Sequence, residues 1–290
     1  MIPRSFLFVP GDSERKMAKA SASAAHALVL DLEDSVAAER LPAARQTVRE
    51  YLGANSDRSK KQLWVRINPL DSGKALDDLV QVVAGAPDGV LLPKCSGGSE
   101  ITRLDHYLTA LEIRDGIAPG SIRIAAVATE TAVAMFELGS YRNASPRLFG
   151  LTWGAEDLST ALGASTNKGT DGAYAFPYQL ARTLCLTGAK AAGVHAMDTV
   201  YPNFRDLEGL AAEVRSSRRD GFAAKFAIHP DQLSAINAGF RPDDKEIEKA
   251  RAIVAAFKAA GGAGTVQVNG MMVDKPHLTQ ALQILEAAGE

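Results

Sequence analysis

The sequence predicts an α/β protein folded as a TIM-type (β/α)₈ barrel, followed by a C-terminal helical extension with a lid. Three observations carry that expectation: eight short β-rich runs recur along the chain, helix-like segments separate them, and no G-x-G-x-x-G follows the first run. Strands that alternate with helices pair in parallel, because each return to the sheet needs a crossover. Eight such units favour closure into a barrel, with an open doubly wound sheet as the alternative. A chain of 290 residues, 46% of them hydrophobic, can bury one core of that size and still carry a tail.

The first strand is read at residues 5–9, stopped by Pro10 and Gly11, and a helix follows over 13–25. Strands at 27–31, 63–67 and 89–92 alternate with helices at 38–51, 75–83 and 100–111, where helix formers place apolar residues at helical spacing. The fifth strand, 122–128, precedes a helix over 131–138, and the sixth, 148–152, precedes one over 177–192. A seventh strand at 194–197, a helix at 207–218 and an eighth strand at 227–228 complete the barrel domain, 1–240. In the extension, 241–290, a helix over 243–260 is broken by Gly261, Gly262 and Gly264 before a lid segment, 265–276, and a terminal amphipathic helix over 277–287.

The 32 basic and 34 acidic side chains nearly cancel, so no global field recruits nucleic acid or an anionic membrane surface. No apolar run approaches the roughly 18 residues of a membrane helix, and the N-terminus turns polar by Gly11 and Asp12 without a signal-peptide core. Cys95 and Cys185 stand far apart and outside any C-x-x-C spacing, which suggests neither a disulfide framework nor a zinc site, and makes the cytoplasm the expected compartment.

Catalytic groups of such a barrel sit where its strands finish, since only there do several strands point into one mouth. The strand ends deliver Asp31, Glu33 and Asp34, then Arg66, Lys94, Glu130, Glu156 with Asp157, Asp198 and His229. So many carboxylates in one mouth repel one another unless a cation compensates them, and Arg66 with Lys94 cannot offset them all. A divalent cation would, and all-oxygen ligation favours Mg²⁺. The alternative is that these acids cap the helices that follow, and Glu156 is read as such a cap or as a group that supports a metal ligand from behind. His26, His106 and His195 lack paired ligand spacing and are read as packing or surface groups, Arg182 and Lys190 as solvated, and His229 as a structural hydrogen-bonding group.

Taken in order, Leu7-Phe8-Val9-Pro10-Gly11-Asp12, Leu30-Asp31-Leu32-Glu33-Asp34-Ser35-Val36, Val65-Arg66-Ile67-Asn68, Leu92-Pro93-Lys94, Glu130-Thr131-Ala132, Gly154-Ala155-Glu156-Asp157-Leu158, Ala227-Ile228-His229-Pro230-Asp231-Gln232 and Met272-Val273-Asp274-Lys275-Pro276 resemble the citrate lyase β-subunit and malyl-CoA lyase family. The resemblance spans almost the whole chain. It implies Mg²⁺ on Glu130 and Asp157, substrate contacts from Arg66, Glu130, Lys94, Asp31 and Glu33, and Phe8 and Lys19 at a coenzyme A entrance. It also implies that Asp274, on the lid, serves a neighbouring subunit in a homotrimer or hexamer, and Met271 and Met272, as flexible apolar side chains, are read as packing that lid against a partner. Where the family often has Pro, this chain has Ala155.

The activity the resemblance implies is Mg²⁺-dependent cleavage or formation of a 3-hydroxyacyl-CoA thioester such as citramalyl-CoA, malyl-CoA or a citryl thioester. In that scheme Arg66 holds the developing enolate oxygen and Asp274 exchanges a proton with the acetyl-type carbon. The alternatives are a 2-keto-acid aldolase that acts without coenzyme A, an acyl-CoA thioesterase, and the β subunit of a larger citrate lyase complex.

Overall fold

The structure, a computed structural model, describes residues 2–289. Eight parallel strands close the predicted barrel: β1 (Ser5–Pro10), β2 (Ala27–Asp31), β3 (Gln62–Arg66), β4 (Gly89–Leu92), β5 (Arg123–Val127), β6 (Leu148–Thr152), β7 (His195–Asp198) and β8 (Ala224–Ala227), with β8 paired back onto β1. Seven α-helices lie along that stretch of chain, α1 (Glu14–Ser21), α2 (Leu41–Ala54), α3 (Ala75–Val82), α4 (Gly98–Arg114), α5 (Ala155–Ala161), α6 (Phe176–Ala191) and α7 (Leu207–Asp220).

Side chains alternate across a strand, so each strand sends one set inward. Phe6, Ala27, Val29, Trp64, Leu91, Ala125, Val127, Met197, Ala224 and Phe226 form the buried interior. Trp64 fills much of it, and Gly89 on the neighbouring strand makes room, because a Cβ there would come within 2.3 Å of the indole. The same alternation sends Lys225 outward from between Ala224 and Phe226, fully buried in the helix layer. That lysine explains why the eighth strand begins three residues earlier than its apolar pattern predicts. A charge inside a strand reads as a boundary, yet Asp198 and Glu213 neutralise it here, at 2.7 and 2.6 Å.

Three further differences from the sequence reading concern helices. Helix α1 starts only after Ser13, whose side chain accepts from the Lys16 N–H, and it stops at Ser21. The helix expected over 131–138 is reduced to a short 3₁₀ turn, Val133–Phe136. Helix α5, absent from the sequence reading, is a short helix that begins at Ala155 directly after Gly154. No helix among the described residues is long and apolar enough to cross a membrane.

The chain divides into two compact units, Pro3–Ile236, which holds the barrel, and a second made of the residues from Asn237 onward together with Ile2. Within the second, α9 (Asp244–Ala259) packs against α10 (Lys275–Ala288), preceded in the chain by the short α8 (Leu233–Gly239). The segment expected as a lid is a β-hairpin, β9 (Thr265–Val268) and β10 (Met271–Asp274), joined by Asn269-Gly270 with both residues at positive φ, 48° and 78°. Asn-Gly between alternating residues is the chemistry a two-residue hairpin turn demands.

Candidate active site

Asp31 closes β2 with its side chain almost fully buried, and it organises its own loop by accepting from the Glu33 and Ser35 N–H groups. Arg66, at the end of the adjacent strand β3, grips it in a fork: Nε to Oδ1 at 2.6 Å and Nη2 to Oδ2 at 2.8 Å. Burial alone would push the Asp31 carboxyl up, but Arg66, with the Ser35 side chain and the Glu33 N–H, holds it below the ordinary range. The guanidinium also lies 4.8 Å above the Phe8 ring, which itself stacks on Phe226. With one edge held by a carboxylate and one face by an aromatic ring, Arg66 enters any reaction already oriented.

Glu33 receives Arg66 Nη1 within 2.8 Å of its Oε2, yet off the hydrogen-bond direction, so that oxygen is buried with a Coulombic neighbour and without a hydrogen bond. Its other oxygen pairs with the Lys94 ammonium. Burial outweighs both cations and leaves the Glu33 pKa raised. Lys94 closes the gap after β4 in a left-handed conformation, φ 49°, which few non-glycine residues adopt and which tends to mark functional turns. That twist aims its backbone N–H at Glu130 Oε2, 2.6 Å away, while its ammonium reaches Asp157 at 3.3 Å and Asp34 at 3.7 Å.

Glu130, just past β5, is 7% exposed. Desolvation, with repulsion from Asp157 and Glu33 added, overcomes the Lys94 N–H and pushes its pKa up to about 8. Its side chain lies across the backbone of Gly154, where a Cβ would come within 2.7 Å of Cγ, and the Gly154 N–H is taken by Thr129 Oγ1 at 3.1 Å. Gly154 is the N-cap of α5, so Glu156 and Asp157 both fall in its first turn, where the helix dipole favours negative charge. Glu156 faces solvent there, and Asp157 is partly buried toward Lys94. A cavity of about 480 Å³ opens beside Asp157, walled by α5 and by residues 164–167. A groove of about 520 Å³ between α2 and α3 is slightly larger, but none of the strand-end acids lines it.

The strand ends therefore bring together Asp31, Glu33, Asp34, Arg66, Lys94, Glu130 and Asp157. Asp198 is a correction to the expected mouth. Met197 points into the barrel, so its neighbour Asp198 points out, where it accepts from Lys225 at 2.7 Å, Ser217 at 2.6 Å and the Trp153 indole at 2.7 Å. Arg182 is a second correction. Instead of being solvated, it stacks on Phe222, pairs with Asp220 at 2.8 Å and approaches Asp198 at 3.6 Å. His229 accepts from the Asp231 N–H and stacks on Phe204, and His195 packs edge-on against Phe149. Lys19 is exposed in the last turn of α1. Cys95 and Cys185 are free and buried, and burial pushes the Cys95 thiol up to about 12. Asp274, in the second unit, is the N-cap of α10, with Oδ1 2.5 Å from His277 Nδ1. The sequence reading assigned no role to Thr129, Trp153 or Gly154. Gly154 alone left a signal, a glycine between a strand and an acidic helix start.

A closed parallel barrel with an acid-rich mouth defines the class, and comparison with known proteins supplies the family. The sequence profile of the HpcH/HpaI aldolase/citrate lyase family matches residues 4–230, and the chain belongs to that family. It is 34% identical over 287 residues to the citrate lyase subunit beta of Haemophilus influenzae, covering 98% of this chain and 96% of that protein. It is 35% identical over 287 residues to a (3S)-malyl-CoA thioesterase of Cereibacter sphaeroides, with 98% and 94% covered. Among solved structures, CitE from Mycobacterium tuberculosis in complex with magnesium, acetoacetate and coenzyme A superposes with a TM-score of 0.79 at 33% identity, over 99% of this chain and 98% of that one. The citrate lyase beta subunit from the same organism, complexed with oxaloacetate and magnesium, gives 0.70 at 33% identity, covering 83% and 97%.

Proposed function

We propose that this chain is a Mg²⁺-dependent lyase that cleaves, or in reverse forms, the Cα–Cβ bond of a 3-hydroxyacyl-CoA thioester of the malyl, citramalyl or citryl type. The observation that carries the reading is Glu130, a buried carboxyl pushed up to about 8 by its surroundings and by the nearby Asp157 and Glu33. Such a site binds either a proton or a cation.

The residues fit Mg²⁺. Lys94 fixes Glu130 Oε2 and leaves Oε1 free of it, Asp157 keeps about a third of its side chain accessible, and both are hard oxygen donors. Among the described residues no three Asp, Glu, His or Cys side chains converge into a ligand cage. Mg²⁺ suits that arrangement, since it commonly takes one or two carboxylates and completes its octahedron with water and substrate oxygens. Bound there, the ion would supply charge neutralisation and Lewis-acid polarisation of a coordinated hydroxyl oxygen.

The chain's own residues account for the other demands. As the hydroxyl proton leaves and the Cα–Cβ bond breaks, the electron pair moves onto the thioester, and Arg66, held by Asp31 and Phe8, stabilises the enolate oxygen without reorganising. Asp274, donated by a neighbouring copy in a trimer or hexamer, takes up the proton that the hydroxyl releases, by way of water, and delivers it to the enolate carbon, so that no proton is gained or lost overall. Its pairing with His277 keeps its pKa low, so it waits as a carboxylate and acts as the base in the condensation direction. Phe8 beside Arg66 and Lys19 on α1 would line the path of the coenzyme.

A second reading is hydrolysis of the thioester at the same site, which similarity to a (3S)-malyl-CoA thioesterase favours. The test is to incubate purified chain with malyl-, citramalyl- and citryl-CoA, with and without Mg²⁺, and to measure acetyl-CoA, free coenzyme A and the oxo acid. Equal amounts of acetyl-CoA and oxo acid, dependent on Mg²⁺, are expected. Free coenzyme A with the hydroxy acid intact would select hydrolysis, and no turnover of any ester would overturn both readings.

A further inference from the structure

On the outer side of the barrel wall, directly behind the acidic mouth, lies a buried polar chain that the chemistry above does not use. Trp153 follows β6 with its side chain facing the helix layer, 1% exposed. Its indole N–H donates to Asp198 Oδ1 at 2.7 Å, and the ring meets Tyr174 edge-on at 5.1 Å. Asp198 Oδ2 accepts from Lys225 at 2.7 Å and from Ser217 at 2.6 Å, and Lys225 donates onward to Glu213 at 2.6 Å. Arg182 approaches Asp198 at 3.6 Å. Burial opposes the charged form of both Asp198 and Lys225, but their mutual pairing holds the first carboxyl below and the second ammonium above its ordinary range. A network this deep and this fully satisfied is rigid.

What it holds is the residue before Gly154. From Trp153 the chain passes at once to Gly154, pinned by Thr129 Oγ1 and packed without clearance on the Glu130 side chain, and then into the turn of α5 that presents Asp157. Trp153 is thus clamped from outside and Gly154 from inside, and the two proposed cation ligands meet at this junction. We propose that Trp153, Asp198 and Lys225 form a positioning anchor that sets the separation of Glu130 and Asp157, and so the affinity of the mouth for a divalent cation. The inference rests on the Mg²⁺ reading. Groups that orient metal ligands from behind typically change metal affinity or activity by about 10- to 100-fold when removed.

The experiment is calorimetric titration of Mg²⁺ into the metal-free full chain, alongside kcat and KM with a thioester substrate. Trp153→Phe, which keeps a buried ring and removes the N–H, is expected to weaken Mg²⁺ binding roughly tenfold or more and to lower kcat at saturating Mg²⁺, with KM little changed. Ser217→Ala, which removes one donor to Asp198, serves if Trp153→Phe does not fold, and should weaken binding by a few-fold. Folded Trp153→Phe or, in its place, folded Ser217→Ala with wild-type Mg²⁺ affinity overturns the anchor alone. Wild-type chain that binds no Mg²⁺ overturns the metal reading and the anchor with it.

Discussion

At the N-terminal end of the strands, Arg147 donates to Asp105 at 2.5 Å and to both oxygens of Glu112 at 2.7 and 2.6 Å, while the Gly120 and Ile122 N–H groups complete Glu112. At the C-terminal end, Arg66 and Lys94 face Asp31, Glu33, Asp34 and Asp157, with Glu130 buried beside them. The base and the mouth use the same residue types. At the base, burial would raise both carboxyls, but their partners win and both are lowered. At the mouth burial wins for Glu33 and Glu130, and both are raised. A cluster whose partners suffice stabilises the fold, whereas one left short of positive charge is set up to take a cation from outside.

The sharpest way to break this comparison is to remove the arginine from each end. Arg66→Ala should lower kcat by about a hundredfold or more, since it deletes a preorganised donor to developing charge. Its Mg²⁺ affinity, measured by calorimetry, should hold or tighten, because the mouth becomes more negative. Arg147→Met should do the reverse. Leaving two largely buried carboxylates without their counter-ion is expected to cost about 3 to 5 kcal/mol in denaturant unfolding, with Mg²⁺ affinity unchanged in the protein that remains folded. If Arg147→Met lowered Mg²⁺ affinity, the two ends would not be independent.

The ease with which the two ends could be read from sequence also differs. Strand-end position was enough to bring Arg66, Lys94, Asp31, Glu33, Asp34, Glu130 and Asp157 to one mouth, because a barrel collects its C-terminal strand ends in one place and these residues follow apolar runs, while the roles within that set came from the resemblance. The same rule failed for Asp198. Facing alternates with every residue, and a four-residue strand gives too short a pattern to phase it. Lys225 misled for a related reason, because its neutralising partners come from β7 and α7 and no local window contains both. The Asn269-Gly270 turn was legible and went unread in a segment taken for a lid. The anchoring role of Trp153 left no trace in its own surroundings.

The opposed pKa shifts predict opposed pH limbs in metal-free unfolding. Asp105 and Glu112 are lowered in the folded state, so their stabilisation is present above the ordinary carboxylate range and is lost as pH falls through it. Glu130 is raised from 4.5 to about 8, so its neutral form suits the fold, and stability is lost as pH rises across that interval. Urea midpoints between roughly pH 3 and 9 should therefore rise and then fall. Glu130→Gln, or Mg²⁺ in excess, should flatten only the alkaline limb. A falling limb that survives Glu130→Gln would assign it to some other group.

The smallest expected effects come from a pair of lysines. Lys61, at the base, donates to the Ala20, Ser21 and Ser23 carbonyls at 3.1, 2.9 and 2.8 Å and so satisfies the end of α1. Lys61→Met should cost about 1 kcal/mol, the usual worth of such bonds, and leave Mg²⁺ binding alone. Lys94 donates to carboxylates instead, and its ammonium stands where a metal would draw on the same negative charge. Lys94→Met should change stability by about 1 kcal/mol or less, since the buried Glu33 carboxyl, already raised, can take up a proton when its partner leaves, and the other two acids that Lys94 meets are partly accessible. It should tighten Mg²⁺ several-fold, because one positive charge leaves the neighbourhood of Glu130 and Asp157, while the backbone N–H that holds Glu130 is retained. Equal stability losses in the two variants, with Mg²⁺ affinity unmoved in both, would mean that the mouth is built on the same terms as the base.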